Sequence, residues 1–297
     1  MPVISPFSAK LGAIPVEQHS VTAQDQTTAY WNYGRNSGPI DIVMFHGFRG
    51  DHHGLEPFVA ELGSDFRIVI PDLPGFGLSS DFSQKATIQA YSDWVTTFTE
   101  ALGISRQTLI LGHSFGSIVV SAALSQGLPV NRAVLINPIA ANALQGPRGI
   151  LTKLAVFYYK LSAALPERVG YALLKNPAIV RIMSMAMAKT KDPDLRAWIH
   201  DQHDQYFSHF SSRRGVLEAF ETSVNSDVSS FASGISQHIL MIVAELDDIT
   251  ALPEQFALAE RLAHCDIVVV EGVGHLVHYE APAFAAAHIR RVLAQAH

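Results

Sequence analysis

Thr108-Leu109-Ile110-Leu111-Gly112-His113-Ser114-Phe115-Gly116 is the stretch on which the reading of this chain turns. It runs from a short apolar strand into a serine set between two glycines, then into residues 117–124, which have the composition of a buried helix. A strand that turns this sharply into a helix needs small residues on either side of the serine, because a Cβ there would meet neighbouring backbone. Such a turn lifts the Ser114 hydroxyl out of the sheet and points the helix N-terminus at it. The helix dipole and the Phe115 amide then favour an anion beside the serine. A tight turn with an N-capping serine fits the same string, so the rest of the chain must decide.

Outward from Ser114, short apolar runs rich in β-branched residues recur at residues 40–45, 67–70, 108–111, 133–136, 239–243 and 267–270. Bounded by Gly, Pro, Asp and Asn, they predict strands buried on both faces. Helical stretches are expected near residues 53–62, 87–102, 115–126, 253–262 and 282–294. This alternation predicts a mostly parallel sheet covered by helices. Residues 16–22 and 27–33 suit an antiparallel hairpin at its edge.

Residues 138–236 break the alternation with helical periodicity and no convincing strand. Leu151, Leu154, Ala155, Tyr158 and Leu161 follow the spacing of one apolar helical face, and Ile182, Met183 and Met185 to Met187 continue the apolar bias. A helical insertion covering the sheet is expected here. The chain thus divides into a core of residues 1–137 and 237–297 and an inserted unit of residues 138–236.

A serine hydroxyl is a weak nucleophile and requires a base. His275 follows the strand at residues 267–270, and Asp247 with Asp248 follows the strand at residues 239–243. Serine, acid and histidine would all stand just after strands, at the edge where open parallel sheets bind ligands. His46-Gly47-Phe48 follows the strand at residues 40–45, so the amides of Phe48 and Phe115 are the expected oxyanion donors. His46 is expected to brace that loop. Neither His46, Asp51, His52 and His53 nor His200, Asp201, His203 and Asp204 has a recognisable metal-binding spacing; the His200/His203 pair is read as a solvated helix face, and no metal is expected.

On these strings the chain resembles the α/β-hydrolase fold superfamily over nearly its whole length. The supporting segments are His46-Gly47-Phe48, the run from Asp72 to Ser79, Gly112 to Gly116, Glu245 to Ile249 and Gly274 to Pro282. The resemblance implies an eight-stranded, mostly parallel sheet with helices on both faces and a helical cap inserted between strands 6 and 7. It also implies Ser114, Asp247 and His275 as the triad, with Asp248 a weaker candidate because Ala244 replaces the family's usual glycine.

Serine at the nucleophile position, where dehalogenases and epoxide hydrolases of this superfamily carry aspartate, implies acyl transfer through an acyl-enzyme and no cofactor. Aromatic and methionine residues of the insertion (Phe157, Tyr158, Tyr159, Met183, Met185, Met187, Trp198, Tyr206 and Phe207) favour an ester or thioester with apolar or aromatic groups. Pocket candidates are His113, Tyr158, Met183, Met187 and Leu276. The alternative is a carbon–carbon hydrolase of ring-cleavage diketo acids, which would need a cationic carboxylate anchor that Arg49, Arg148 and Arg181 do not evidently supply. A cofactor-free perhydrolase, an aminopeptidase and a non-catalytic small-molecule receptor share the fold.

Composition narrows the partners. With 297 residues, 48% apolar and 16% charged, the chain can bury a full core without metals or disulfides. A formal charge of −6 argues against nucleic acid, and the pairs Arg213-Arg214 and Arg290-Arg291 are expected on solvated helix surfaces. The single cysteine, Cys265, is expected to pack as a small hydrophobe. No secretory signal is visible, and charges and prolines interrupt residues 150–188, so stable membrane insertion is not expected and a cytoplasmic location is.

Overall fold

A computed structural model describes residues 3–23, 26–142 and 149–295. After the short helix α1 (Ser8–Leu11), β1 (Val16–Ala23) and β2 (Gln26–Gly34) pair antiparallel as the predicted edge hairpin. Then come β3 (Ile42–Phe45), a 3-10 turn at His52–Leu55, α2 (Glu56–Leu62), β4 (Arg67–Pro71), α3 (Ile88–Leu102), β5 (Leu109–His113), α4 (Phe115–Ser125) and β6 (Arg132–Ile136). Among the described residues five α-helices and two 3-10 turns follow before the next strand: α5 (Gly149–Ala164), α6 (Glu167–Leu174), α7 (Pro177–Met187), α8 (Pro193–Tyr206) and α9 (Arg213–Asn225), then the turns at Val228–Ser230 and Ala232–Gly234. The chain closes with β7 (His238–Ala244), α10 (Leu252–Arg261), β8 (Cys265–Val270), α11 (Val277–Glu280) and α12 (Pro282–Ala294).

The strands form one eight-stranded sheet in the order β1-β2-β4-β3-β5-β6-β7-β8. β2 meets β4 antiparallel, and every pairing from β4 to β8 is parallel. From β3 the chain steps to β4 on one side and then to β5 on the other. A crevice opens at the carboxyl ends of strands where the winding reverses in this way. The loops after β3 and β5, carrying His46-Gly47-Phe48 and Ser114, border it.

Strand periodicity explains the two-sided core. Val43, Phe45, Ile110 and Met241 pack on one face with residues of α3, α4 and α9, whereas Ile42, Met44, Leu111 and Ile242 pack on the other with α2 and α12. Helix α3 shows how a local signal becomes packing. Thr87 caps it by accepting the Ala90 N–H at 3.1 Å, and Tyr91, Val95 and Phe98 bury one stripe against the sheet.

Two expectations for the intervening helices are corrected. In α5 the buried positions are Tyr159 and Ser162, whereas Leu154 and Leu161 face outward and the side chain of Leu151 lies outside the described set. The apolar spacing was real, but the neighbouring helices α6 and α9 contact a stripe rotated from it. Arg213 is not a solvated charge either: its guanidinium donates to the carbonyls of Ser162 (3.0 Å) and Leu165 (2.7 Å), tying α9 to the end of α5. Arg214, Arg290 and Arg291 are exposed. Cys265 is half-buried against the core, and burial pushes its thiol up to about 12, as befits a packing residue. Among the described residues no helix is long and apolar enough to cross a membrane.

Candidate active site

Ser114 sits between β5 and α4 with φ 53° and ψ −117°, a left-handed φ that is costly for a residue with a Cβ. The neighbouring glycines make the turn possible. A Cβ on Gly112 would lie 2.6 Å from the Gly116 carbonyl oxygen, and one on Gly116 would lie 2.3 Å from the Phe45 carbonyl oxygen. The strain is held by a Ser114 N–H bond to the Ile136 carbonyl (3.1 Å) and by the Ser117 hydroxyl, which donates to the Ser114 carbonyl (2.5 Å).

The loop after β8 brings His275 to this serine. Its Nδ1 donates to Asp247 Oδ2 at 2.8 Å, which leaves Nε2 to accept from the Ser114 hydroxyl at 2.8 Å. All three side chains come from loops at the carboxyl edge, as expected. Asp247 is buried, and its Oδ1 accepts the N–H groups of Ile249 (2.7 Å) and Thr250 (3.1 Å). Burial pushes its carboxyl up, but His275 and these two donors outweigh burial and hold it below the usual range. Asp248, by contrast, is half-exposed and pairs with Lys189, so Asp247 is the acid that meets the histidine.

Asn137 was not singled out from the sequence. Buried at the end of β6 with φ 42°, it donates from Nδ2 to the carbonyls of His275 (2.8 Å) and Gly274 (3.2 Å). Its Oδ1 accepts the Ala244 N–H at 3.0 Å. One amide thus joins the ends of β6 and β7 to the histidine loop. A lone asparagine after a strand carries no sequence signal for that role.

The backbone N–H groups of Phe48 and Phe115 have no hydrogen-bond acceptor among the described residues. The Gly47 backbone runs close beside Ser114, since a Cβ there would lie 3.2 Å from Ser114 Cβ. His46 braces the loop: Nδ1 donates to the Gly47 carbonyl (2.8 Å), and Nε2 accepts the Leu73 N–H (2.9 Å). The Phe48 ring packs among Phe76, Phe115, Tyr159 and Phe220, which fixes the residue whose amide is left free.

Residues 42–288 match the family model of the Alpha/beta hydrolase family. The chain belongs to this family. Among curated proteins it is 20% identical to (E)-2-((N-methylformamido)methylene)succinate hydrolase of Acinetobacter baylyi, covering 88% of this chain and 91% of that protein. It is 23% identical to pimeloyl-[acyl-carrier protein] methyl ester esterase of Hamiltonella defensa, over 83% of this chain and 90% of the other. The thermophilic esterase of Thermogutta terrifontis superposes with a TM-score of 0.71 at 21% identity, covering 95% of this chain and 99% of the other. The enol-lactonase of Burkholderia xenovorans gives 0.74 at 20% identity, covering 93% of this chain and 100% of the other. At these identities the structural likeness is one of fold.

In this α/β hydrolase a cavity of about 200 Å³ opens on Ser114 and His275. Of the sequence-derived candidates, His113, Met183, Met187 and Leu276 line it, as do Tyr206 and Phe207. Tyr158 does not: its hydroxyl donates to the Leu173 carbonyl at 3.0 Å, joining α5 to α6. Tyr159 packs flat on Phe220, Trp198 packs between Phe7 and Tyr279, and Phe157 and Met185 are exposed.

Three polar residues in the cavity wall have surroundings that the sequence did not reveal. Arg49, directly after His46-Gly47-Phe48, is 1% exposed and forms no ion pair among the described residues. Its guanidinium donates to the Leu174 carbonyl (2.7 Å), the Phe207 carbonyl (2.9 Å) and the Tyr159 hydroxyl (3.2 Å), and so ties that loop to the intervening helices. His203 is buried, not solvated, with Nδ1 2.7 Å from the Ser184 hydroxyl, which also lies 2.6 Å from His200 Nδ1. His278 is buried beside His113, their ring centroids 4.2 Å apart. Arg181 pairs with Asp204, and Arg148 lies outside the described residues.

Asp51, His52 and His53 bring one potential metal-ligating atom each within 4.8 Å of one another. Their side chains are already engaged: His52 Nδ1 donates to Asp72 Oδ1 (2.9 Å), and His53 Nδ1 donates to Asp51 Oδ1 (3.0 Å).

Proposed function

We propose that this hydrolase cleaves carboxylic esters through an acyl-enzyme on Ser114, with residues 138–236 acting as a cap over the site. The observation that carries the reading is the unbroken relay Asp247–His275–Ser114, with both contacts at 2.8 Å. His275 Nε2 takes the Ser114 proton as Oγ attacks the ester carbonyl carbon, and the oxyanion forms opposite the free N–H groups of Phe48 and Phe115. The same imidazole gives the proton to the departing alkoxide. A water molecule, deprotonated by His275, then attacks the acyl carbon, and the carboxylic acid leaves as Ser114 recovers its proton. Asp247 keeps Nδ1 protonated and stabilises the imidazolium.

Ile139, Met183, Met187, Leu276 and Phe207 make much of the cavity wall apolar, which supports an apolar acyl or alcohol group. Both curated relatives carry hydrolase or esterase names, which agrees with this reaction class. The test is fluorophosphonate labelling with mass spectrometry, alongside turnover of p-nitrophenyl esters. Labelling confined to Ser114, with label and turnover lost in Ser114→Ala, is expected. An unlabelled, inactive wild type would favour a receptor, and preferential turnover of a ring-cleavage dienone acid would move the reaction to carbon–carbon bonds.

A further inference from the structure

The cavity beside Ser114 holds more polar recognition chemistry than acyl transfer uses. His278 stands three residues after His275, on α11, and is 5% exposed. Its Nδ1 is sealed from solvent without a hydrogen-bond partner, and its Nε2 has no partner among the described residues. His278 lines the cavity, so Nε2 is the nitrogen left to meet a bound molecule. A buried polar group with no partner carries a desolvation cost that a ligand can relieve.

The ring is held firmly. His113 packs on it at 4.2 Å between centroids and Tyr279 at 4.0 Å. Burial, reinforced by the neighbouring imidazoles of His113, His203 and His275, keeps its pKa well below the ordinary histidine value, so the ring is neutral at pH 7. A neutral imidazole carries one N–H. With Nδ1 facing no acceptor, the tautomer protonated at Nε2 presents a donor to the cavity. His203, whose ring also packs against Tyr279, repeats the pattern in the same cavity: Nδ1 meets Ser184, and Nε2 has no partner among the described residues.

We propose that His278, with His203 beside it, forms a polar subsite that takes a second, uncharged oxygen of the substrate, so that the preferred esters carry a carbonyl remote from the scissile one. This rests on the ester-hydrolase reading and adds a specificity determinant to it. A plain alkyl chain in the same place would leave the buried N–H unmet. Sites built to bind a polar group discriminate against analogues that lack it for this reason.

The test compares p-nitrophenyl heptanoate with its 4-oxo, 5-oxo and 6-oxo analogues. At least one oxo ester is expected to exceed heptanoate in kcat/KM by about tenfold. That ratio should fall towards one in His278→Phe and largely return in His278→Gln, whose amide places an N–H near the former Nε2. Should His278→Phe not fold, His203→Phe is expected to reduce the same ratio. No preference at any position in the wild type, or a preference that survives both phenylalanine variants, overturns the subsite. If the wild type hydrolyses no ester, the reaction assignment fails separately. The subsite is then read by calorimetric titration of Ser114→Ala with heptanoate and the three oxoheptanoates. Tighter binding of one oxo acid, lost in the variant that also carries His278→Phe, supports the subsite, and equal binding overturns it.

Discussion

At the scale of single residues, Asp247 and Asp248 are adjacent carboxylates with opposite surroundings. Asp247 is buried, bonded to His275 and to two backbone N–H groups, whereas Asp248 is half-exposed and paired with Lys189. On the proposed mechanism, replacing Asp247 by Asn removes the charge that stabilises the imidazolium and favours the wrong histidine tautomer. We expect kcat to fall by about 10³–10⁴ in Asp247→Asn and by no more than a few-fold in Asp248→Asn, measured on the best p-nitrophenyl ester; the reverse order would make Asp248 the acid. Asn137 acts one step further back. Asn137→Ala removes both donors to the histidine loop and places alanine at φ 42°. Misplacement of His275 should lower kcat by about 10–100-fold with a smaller change in KM. Asn137→Gly, which relieves the backbone strain but not the lost bonds, should not restore the rate.

Among the elements, the loop after β3 and the helices between β6 and β7 are coupled through Arg49. Its guanidinium is met by two carbonyls and two hydroxyls from this segment, and the rings of Phe207 and Phe210 each lie 5.3 Å from its Cζ. Arg49→Met keeps much of the aliphatic stem but leaves the Leu174 and Phe207 carbonyls without this donor. A loss of about 2 kcal/mol in urea-unfolding free energy is expected. Arg49→Lys should recover only part of it, because one ammonium cannot reproduce the planar fork. A variant as stable as wild type would mean that other contacts hold these helices.

Across the whole molecule, acid sensitivity follows from four buried histidines, His46, His113, His203 and His278. Burial, with nearby imidazoles, lowers His113 and His203 to about 3 and His278 well below its usual value, and burial lowers His46 too. Each is therefore neutral when folded, whereas the unfolded chain takes up a proton near pH 6.5. The unfolded state then binds more protons, so stability is full above about pH 6.5 and is lost as pH falls. Each group contributes a slope of up to about 1.4 kcal/mol per pH unit. His53 has the opposite sign. Burial pushes it down, but Asp51 outweighs burial and raises it, so its stabilisation is complete below about pH 6 and fades as pH rises. Urea midpoints at pH 7.5, 6 and 5 should fall steeply over the last step, and His113→Phe should flatten the fall. A flat profile would mean these rings protonate in the folded state.

The strand runs, the elbow around Ser114 and the chain order of serine, acid and histidine were legible in the sequence because each is a local pattern. β-branched runs bounded by turn residues, or glycines two positions either side of a serine, impose their conformation through neighbours a few residues away. The helical content of residues 138–236 was legible for the same reason. Which stripe of α5 is buried was not, because that depends on where α6 and α9 pack. Nor could the pattern tell a solvated His203 from a buried one, or give the surroundings of Arg49, Asn137 and His278. Their partners lie far along the chain: Leu174 for Arg49, His275 for Asn137 and His113 for His278. Local sterics and hydrophobic periodicity wrote the elements into the sequence. Burial and long-range hydrogen bonding, which exist only once those elements pack, decided the charge states at the site and which side chains line it.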